Sequence, residues 1–192
     1  MLEIIVGCMF SGKTEELARR LRRAEIAGQK VIAFKPAIDD RYHKNKIASH
    51  SAITFNAITF ESLKDLTDKL GIIASTGDFP DVIGVDEAQF LPIEFSEFAD
   101  NVANNGTRII ISGLNTDSNG IPFGPIPELL ARADSVMHLD AICVAKDSLG
   151  KICGKRATKT YRFSDKSNGA TIQVGAADSY QARCRACWAD EK

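Results

Sequence analysis

The sequence predicts an α/β fold with a parallel sheet covered by helices on both faces, followed by a small cysteine-bearing module. Short apolar runs alternate with helical segments along the first 140 residues, and this alternation is typical of a parallel sheet. A glycine-rich segment directly follows the first run, where such sheets bind ligands beyond the carboxyl ends of their strands. Four of the five cysteines lie between residues 143 and 187 and indicate the second module.

The elements can be assigned in order along the chain. Residues 2–6 form an apolar run that ends at a glycine, which predicts the first strand. The segment after Gly12 is rich in Glu, Leu, Ala and Arg and stops at Gly28, so it predicts a helix. Further predicted strands are 30–34, 81–85, 108–112 and 135–139, and further predicted helices are 61–74, 93–103 and 126–133. The long apolar runs end near residue 140, which predicts domains at 1–140 and 141–192.

Composition restricts the class of protein. With 192 residues and 44% hydrophobic content, the chain can bury a substantial core. Its 24 basic and 25 acidic residues create no general attraction for nucleic acid. No apolar run approaches the roughly 20 residues that span a bilayer, and no secretory leader is visible, so we expect a cytoplasmic protein without a membrane partner.

The segment GCMFSGKT at residues 7–14 fits the spacing G-x-x-x-x-G-K-[ST] of a phosphate-binding loop. Its glycines let the backbone approach an anion, which the amides and the helix amino terminus then cradle. Lys13 adds a positive charge and Thr14 can ligate Mg²⁺. The predicted strand before the loop and helix after it provide the context that this motif requires, so we expect a phosphate-bearing ligand and Mg²⁺ here.

A second motif, VIGVDEAQF, places two acids after a buried strand. Asp86 would reach the sheet edge that carries the phosphate loop, where it can act on Mg²⁺. Glu87 is the best candidate for a carboxylate that accepts the proton of an attacking hydroxyl. This stretch alone is equally compatible with Glu87 as the water-activating acid of an ATPase.

The cysteines indicate a structural metal site. Cys184 and Cys187 are separated by two residues, a spacing suited to tetrahedral Zn²⁺, and Cys143 and Cys153 can complete a four-sulfur set. The alternative is four unliganded thiols in a small core. Thirty residues separate Cys153 from Cys184, and a segment of that length between metal ligands predicts a substrate lid.

Taken together, these motifs resemble those of the type II thymidine kinases, the zinc-containing deoxynucleoside kinases, along essentially the whole chain. The matching stretches are GCMFSGKT, KPAIDDRY, GVDEAQF, IPFGP, ATKTYRF and GAADSYQARCRAC. The resemblance implies a P-loop NTPase sheet, a zinc-ribbon domain with a lid (lasso) loop, and transfer of the γ-phosphate of ATP to the 5′-hydroxyl of thymidine. It also implies a role in nucleotide salvage and DNA precursor synthesis, a homotetramer, and feedback inhibition by dTTP.

The resemblance further assigns roles to individual residues. Glu87 becomes the general base for the 5′-hydroxyl. The candidate nucleotide-binding residues are Gly7, Met9, Phe10, Ser11, Gly12, Lys13, Thr14, Arg41, Asp86 and Gln89. The candidate nucleoside-binding residues are Met9, Phe90, Leu114, Phe123, Thr160, Val174, Gly175 and Tyr180, with Thr160 beside the thymine methyl and the backbone of Val174 and Gly175 bonding the base. The zinc ligands are Cys143, Cys153, Cys184 and Cys187.

Three features depart from the family pattern. An insertion within VAKDSLGKI separates Cys143 from Cys153, where the family has a short C-x-x-C. Ser118 stands where a phenylalanine is common, and Gln173 occupies a lid position that is often aliphatic. The insertion bears on whether Cys143 is a zinc ligand, and the departures at Ser118 and Gln173 predict a substrate range that extends to deoxyuridine and its 5-substituted analogues.

Two rival functions remain at this point. A P-loop ATPase whose zinc ribbon binds nucleic acid would use the basic lid residues Lys155, Arg156, Lys159 and Arg162, but no series of stacking aromatics accompanies them. A nucleotide sensor without catalysis would not need the intact set of Lys13, Asp86 and Glu87. The basic helix face Arg19, Arg20, Arg22 and Arg23 is read as a solvated or subunit-contact surface, and His43, His50 and His138 as surface residues.

Overall fold

The computed structural model describes residues 1–37, 46–48, 54–163 and 179–190. The strands of its first part are β1 (Leu2–Gly7), β2 (Val31–Pro36), β3 (Lys46–Ala48), β4 (Thr54–Asn56), β5 (Ile58–Phe60), β6 (Val82–Val85), β7 (Arg108–Leu114) and β8 (Ser135–Leu139). Within the described ranges, six of them form a sheet in the order β5-β2-β6-β7-β1-β8, and every neighbouring pair is parallel. Strands β3 and β4 pair with each other in antiparallel orientation.

Helices connect the strands of the sheet. They are α1 (Lys13–Ile26), α2 (Leu63–Ser75), α3 (Phe95–Asn104) and α4 (Ile126–Arg132), and a 3₁₀ turn spans Ala88–Phe90. Helix α1 begins with Glu15 and Glu16 in its first turn, where carboxylates stabilise the positive end of the helix dipole. Leu17 and Leu21 lie four residues apart on its buried side. The helix ends just before Gly28, whose φ of 78° stops further helical turns.

Apolar clusters cover both faces of the sheet. On one face, Ile5, Ala33 and Ile110 pack with Leu17 and Leu21 of α1. The opposite face packs against α2, α3 and α4, and its fully buried members include Leu2, Ile4, Val6, Phe34, Leu66, Ile83, Phe95, Ile111 and Leu129. The central strands are therefore apolar on both sides, as the uninterrupted apolar runs predict. The predicted α/β class with helices on both faces is confirmed.

Within the first 140 residues, the predicted strands and helices agree with the observed ones to within two residues at each end, but the short strands β3, β4 and β5 are missing from the prediction. Strand β5 was not predicted, although Phe34 and Phe60 of β2 and β5 meet edge to face at 6.3 Å between ring centroids. Strand β5 has three residues at the edge of the sheet and leaves Ile58 exposed. Such a segment is too short to show a periodic pattern, so its pairing depends on the neighbouring strand.

Antiparallel structure replaces the parallel sheet after residue 140. The elements are β9 (Ala141–Ile142), β10 (Arg156–Ala157), β11 (Lys159–Arg162), β12 (Tyr180–Arg183) and α5 (Arg185–Ala189). Strand β9 pairs with β10, and β11 pairs with β12. Small and sulfur-containing side chains make up the buried core here, which is too small to be held by apolar packing alone.

Candidate active site

The phosphate loop runs from the end of β1 to the start of α1. Phe10 and Gly12 have φ values of 65° and 82°, and such left-handed residues turn backbone N–H groups toward one side of a loop. The ammonium group of Lys13 and the hydroxyl of Ser11 both donate to the carbonyl oxygen of Cys8, at 2.7 and 2.8 Å. These hydrogen bonds hold the loop in a tight curl around the end of the Lys13 side chain.

Gly7 is required where the loop leaves β1. A Cβ atom at this position would lie 2.3 Å from the carbonyl oxygen of Leu139 and 2.6 Å from the hydroxyl oxygen of Ser11. Any side chain would therefore push the loop away from β8. The first glycine of the motif is explained by this close backbone approach.

Cys8 and Met9 of the phosphate loop contact the carboxy-terminal module. The thiol of Cys8 lies 3.2 Å from the carbonyl oxygen of Ala157, and the amide of Met9 donates to the hydroxyl oxygen of Thr160 at 3.1 Å. Cys8 is buried, and burial raises the pKa of its thiol. The phosphate loop is thus attached to β10 and β11, which places it between the sheet and the cysteine cluster.

Asp86 lies at the end of β6, next to the end of β7. Its Oδ1 accepts hydrogen bonds from the hydroxyl of Ser112 and from the amide of Glu87, and the Thr14 side chain also bonds to the carboxyl group. Burial raises the pKa of Asp86 to about 6, and the negative charge of Glu87 adds to this effect. Thr14 and Asp86 are therefore in contact, as residues that share one Mg²⁺ site must be.

Glu87 adopts a strained backbone conformation, with φ 52° and ψ 37°. Residues other than glycine rarely occupy the left-handed region, and they concentrate at functional sites. The side-chain oxygen Oε2 of Glu87 accepts a hydrogen bond from Nε2 of Gln89. The strain and the side-chain hydrogen bond together give the carboxylate a defined direction.

Gln89 is buried and connects two parts of the site. Its Oε1 accepts a hydrogen bond from the amide of Leu114 at 2.9 Å, while its amide group holds Glu87. A Cβ at Gly124 would lie 2.2 Å from the Gln89 carbonyl oxygen, and one at Gly113 would lie 2.9 Å from Oε1. The described contacts of Gln89 make it a support for Glu87, whereas contact with nucleotide stays a prediction.

The predicted nucleoside-binding side chains have two kinds of environment. Met9, Phe90, Leu114 and Phe123 are only partly buried, and the rings of Phe90 and Phe123 meet edge to face at 5.6 Å between centroids. Partly exposed apolar side chains near a candidate catalytic carboxylate are suited to bind a flat, apolar base. Thr160 and Tyr180, in contrast, are buried.

The four predicted zinc ligands come together. The sulfur atoms of Cys143, Cys153, Cys184 and Cys187 all lie within 4.8 Å of one another, and those of Cys153 and Cys184 are 3.9 Å apart. Tetrahedral Zn²⁺ with Zn–S bonds of about 2.3 Å separates its sulfur ligands by roughly 3.8 Å. The cluster therefore fits a structural zinc ion in donor type, number and spacing.

The insertion between Cys143 and Cys153 leaves this cluster intact. Lys146 pairs with Ile152, and the Asp147 side chain caps the turn by accepting from the amides of Leu149 and Lys151 at 2.9 Å. The Cys153 amide donates to Ala145, and the Gly154 amide donates to Cys143. The added residues project outward as a hairpin, so both cysteines return to the same place.

Other candidate residues fall elsewhere. Arg41, Val174 and Gly175 lie outside the described residues, as do Gln173, His43 and His50. Of the predicted basic face, Arg19 and Arg20 form ion pairs with Glu16. His138 is exposed, with Nδ1 3.8 Å from Asp140. No helix in the described part of the chain is long and apolar enough to span a bilayer.

Sequence reasoning missed three residues of the site region. Ser112 holds Asp86, and the only signal for it is its position at the end of the apolar run 108–112. Lys35 is fully buried near the carboxyl end of β2, and the parallel register places it in one row across the sheet with Asp86 and Ser112. Trp188 donates its indole N–H to the carbonyl oxygens of Ser118 and Thr160, and it directly follows Cys187, the last of the four clustered cysteines.

The geometry of this site defines a class of protein. A parallel sheet, a phosphate loop after β1 and a buried aspartate after β6 together define a P-loop nucleotide-binding protein. An adjacent carboxylate and a partly apolar wall are the features of a kinase that phosphorylates a small hydroxyl compound.

Comparison with known proteins specifies the family. The family model described as "Thymidine kinase" matches residues 1–188. A thymidine kinase of Deinococcus deserti is 44% identical over 192 residues, which covers 96% of this chain and 92% of that protein. A thymidine kinase of Coprothermobacter proteolyticus is 46% identical over 187 residues, covering 95% and 87%. The chain belongs to the thymidine kinase family.

Among solved structures, a DNA replication initiation factor matches 72% of this chain and 40% of its own. Its TM-score is 0.40 and its sequence identity is 15%. This likeness is too weak to inform function.

Proposed function

We propose that the protein transfers the γ-phosphate of ATP to the 5′-hydroxyl of thymidine and so forms dTMP for nucleotide salvage and DNA precursor synthesis. Membership of the thymidine kinase family supports the substrate and the reaction. The observation that carries the mechanism is the contact between Thr14, Asp86 and Glu87 at one edge of the sheet. It brings the phosphate loop, a metal-binding carboxylate and a candidate base together.

The phosphate loop binds the phosphates of ATP. Lys13 exchanges its hydrogen bond to the Cys8 carbonyl for one to a phosphate oxygen, and the loop amides contribute further donors. Thr14 and Asp86 would hold Mg²⁺, which neutralises phosphate charge when bound. Arg41 is proposed as an additional cation near the transferred group, by resemblance to the family.

Glu87 accepts the proton of the 5′-hydroxyl as that oxygen forms a bond to the γ-phosphorus. The bond from the γ-phosphorus to the bridging oxygen of ADP breaks, and the negative charge of the leaving group lies against the loop amides and Lys13. Gln89 keeps the Glu87 carboxylate directed by donating to Oε2. After transfer the proton is on Glu87 and leaves to solvent when the products dissociate.

The nucleoside is proposed to bind against Met9, Phe90, Leu114 and Phe123, with Thr160 and Tyr180 behind them. The lid residues Val174 and Gly175 would bond the base through their backbone. Ser118 is smaller than the phenylalanine common in the family, so deoxyuridine and 5-substituted deoxyuridines are proposed as further substrates.

The carboxy-terminal module is proposed to be a zinc-ribbon domain, residues 141–192, attached to an ATP-binding domain, residues 1–140. Zinc would be structural, because all four ligand positions are occupied by cysteine and none is left for a substrate. Its role is to fix the two ends of the lid. The family resemblance also supports a cytoplasmic homotetramer that dTTP inhibits and that requires neither nucleic acid nor membrane.

The proposal is tested by measuring ADP formation by the purified protein with Mg-ATP and one added acceptor at a time. Thymidine should give turnover with dTMP as product, deoxyuridine should give weaker turnover, and deoxycytidine should give little. Single-stranded DNA is included because it tests the rival ATPase function. ADP formation that depends on DNA, or that proceeds equally without nucleoside, would contradict the proposal.

A further inference from the structure

Trp188, the only tryptophan in the sequence, lies where two walls of the proposed nucleoside site meet. Its indole Nε1 is 3.2 Å from the carbonyl oxygen of Ser118 and 3.2 Å from that of Thr160. Ser118 belongs to the loop that follows β7, and Thr160 belongs to β11. A single N–H group is therefore shared between two segments that are 42 residues apart in the sequence.

The indole ring also packs directly against the backbone of Gly120, where a side chain would collide with it. Gly120 has a φ of 81°, and a Cβ atom there would lie 2.8 Å from Cη2 and 3.1 Å from Cζ2 of Trp188. Lys159, on β11, has its ammonium group 5.3 Å from the centroid of the indole ring, within the range of a cation–π interaction. The ring thus contacts the same loop and the same strand that its N–H group joins.

Both segments lead directly to the candidate site. Thr160 accepts a hydrogen bond from the Met9 amide in the phosphate loop, so the position of β11 determines the position of that loop. At the other side, the loop that bears Ser118 and Gly120 connects Leu114 to Phe123, and the Phe123 amide closes it by donating to the Asn115 carbonyl at 3.4 Å. Trp188 links these two walls from outside the pocket.

We infer that Trp188 is a positioning residue that sets the width of the nucleoside pocket by holding the loop 115–122 against β11. The inference rests on the proposed function, since it concerns the pocket for the nucleoside. Because Trp188 directly follows Cys187, the metal cluster fixes one end of this connection. The cysteine cluster thereby influences which nucleoside fits.

The first test replaces Trp188 with Phe, which keeps an aromatic ring but removes the N–H donor and the outer ring atoms. The KM for thymidine should rise about fivefold to tenfold, the effect expected when a hydrogen bond that orders a binding site is lost. The KM for ATP should stay within about twofold of the wild-type value. The zinc content and the urea midpoint of unfolding should stay within experimental error. Arg185→Ala, an exposed change on the same short helix, is the matched control and should leave all four values unchanged.

The second test uses Gly120→Ala, which presses a methyl group against the ring and also strains the backbone at a φ of 81°; only the first effect depends on Trp188. Thymidine KM should rise in this variant because the added methyl group displaces the indole. The same Gly120→Ala change should raise the thymidine KM by a smaller factor when Trp188 is already Phe, since the smaller ring leaves room for the methyl group. An equal rise in the thymidine KM in the wild-type and Trp188→Phe backgrounds would show that the ring and the loop act independently, and would overturn the inference.

The outcomes separate this inference from the proposed function. If the wild-type protein does not turn over thymidine, the proposed function fails. If the wild type does so and Trp188→Phe keeps an unchanged thymidine KM, the inference alone fails. If Trp188→Phe loses zinc or unfolds, the fluorescence emission of the single tryptophan in the wild type is measured instead. A change in emission on addition of thymidine supports the inference. An unaltered spectrum at saturating thymidine contradicts it.

Discussion

The hydroxyl of Ser112 donates a hydrogen bond to Oδ1 of Asp86 and thereby joins the ends of β7 and β6 at the edge of the sheet that carries the phosphate loop. Asp86 is buried, and burial together with the charge of Glu87 raises its pKa to about 6 despite this hydrogen bond and those from Glu87 and Thr14. In the absence of a cation, the ionised carboxylate is therefore unfavourable. A bound Mg²⁺ would offset that cost, which is the arrangement expected of a metal ligand.

This relationship predicts a pH-dependent effect of Asp86→Asn in magnesium-free buffer. A raised pKa means that the folded wild type holds a proton that the unfolded chain releases, so its stability falls as pH rises from about 4 through 6. The amide has no such cost. Asp86→Asn should gain stability over the wild type between pH 5 and pH 8, on the order of 2 kcal/mol.

Urea unfolding at the two pH values, without chelator so that any zinc stays bound, measures this difference. Ser112→Ala provides the control, because it keeps the carboxylate and removes one of its donors, and it should be less stable than the wild type at pH 8. The same Asp86→Asn variant should lose turnover with Mg-ATP. A stability difference that does not grow with pH would show that Asp86 carries no unfavourable charge in the folded state.

A buried ion network at β1 predicts a second stability effect. Glu3 is buried and pairs with Arg20 and Arg108, both at 2.5 Å. Burial alone would raise the pKa of Glu3, but the hydrogen bonds and charges of Arg108 and Arg20 outweigh it and lower the pKa. The stability from this group is present above about pH 4.5 and is lost as pH falls below that value.

Replacing Glu3 with Gln should therefore destabilise the protein by about 3 kcal/mol at pH 7, because it leaves cationic groups without their buried partner. The exposed pair of Lys64 and Asp68 is the control, and Lys64→Gln should destabilise the protein far less than Glu3→Gln, because water and salt screen an exposed pair. Urea unfolding of both variants at pH 7 gives the comparison. Similar small costs for both would mean that the Glu3 network contributes no more than a surface ion pair.

The cysteine cluster predicts metal content. Purified protein should contain about one zinc per chain, and Cys184→Ser should lose it, because the site needs four sulfur ligands. Cys8→Ser should retain zinc, although Cys8 packs in the same small core, because its sulfur is not among the four. Zinc-free wild-type protein that is fully folded, or zinc loss in both variants, would contradict this assignment.

The parallel sheet and the phosphate loop could be predicted because their signals are local. The run 108–112 has three consecutive isoleucines, which place apolar side chains on both faces of the strand, and the loop carries its own glycines, lysine and threonine. Strand β5 could not be predicted, because three residues at a sheet edge contain almost no pattern and pair only through contact with β2. The antiparallel pair β3 and β4 escaped prediction for the same reason.

Two features of the site could be recognised only from the three-dimensional structure. The insertion before Cys153 obscures the first cysteine pair in the sequence, and only the hairpin closed by Lys146 and Ile152 shows that both thiols reach the cluster. Trp188 has no motif, and its shared N–H is visible only when Ser118 and Thr160 are placed side by side. Residues that position others leave weaker sequence signals than residues that bind phosphate.

The measurement that tests the central claim most directly is thymidine-dependent ADP formation by Glu87→Gln beside the wild type, with ATP binding measured separately. Glutamine matches the size of glutamate but cannot accept the 5′-hydroxyl proton. We predict that ATP affinity stays within about threefold while turnover falls at least about 100-fold, the usual cost of losing a general base. Near-normal turnover in Glu87→Gln would contradict the account, because the strained carboxylate beside Asp86 would then have no part in phosphoryl transfer.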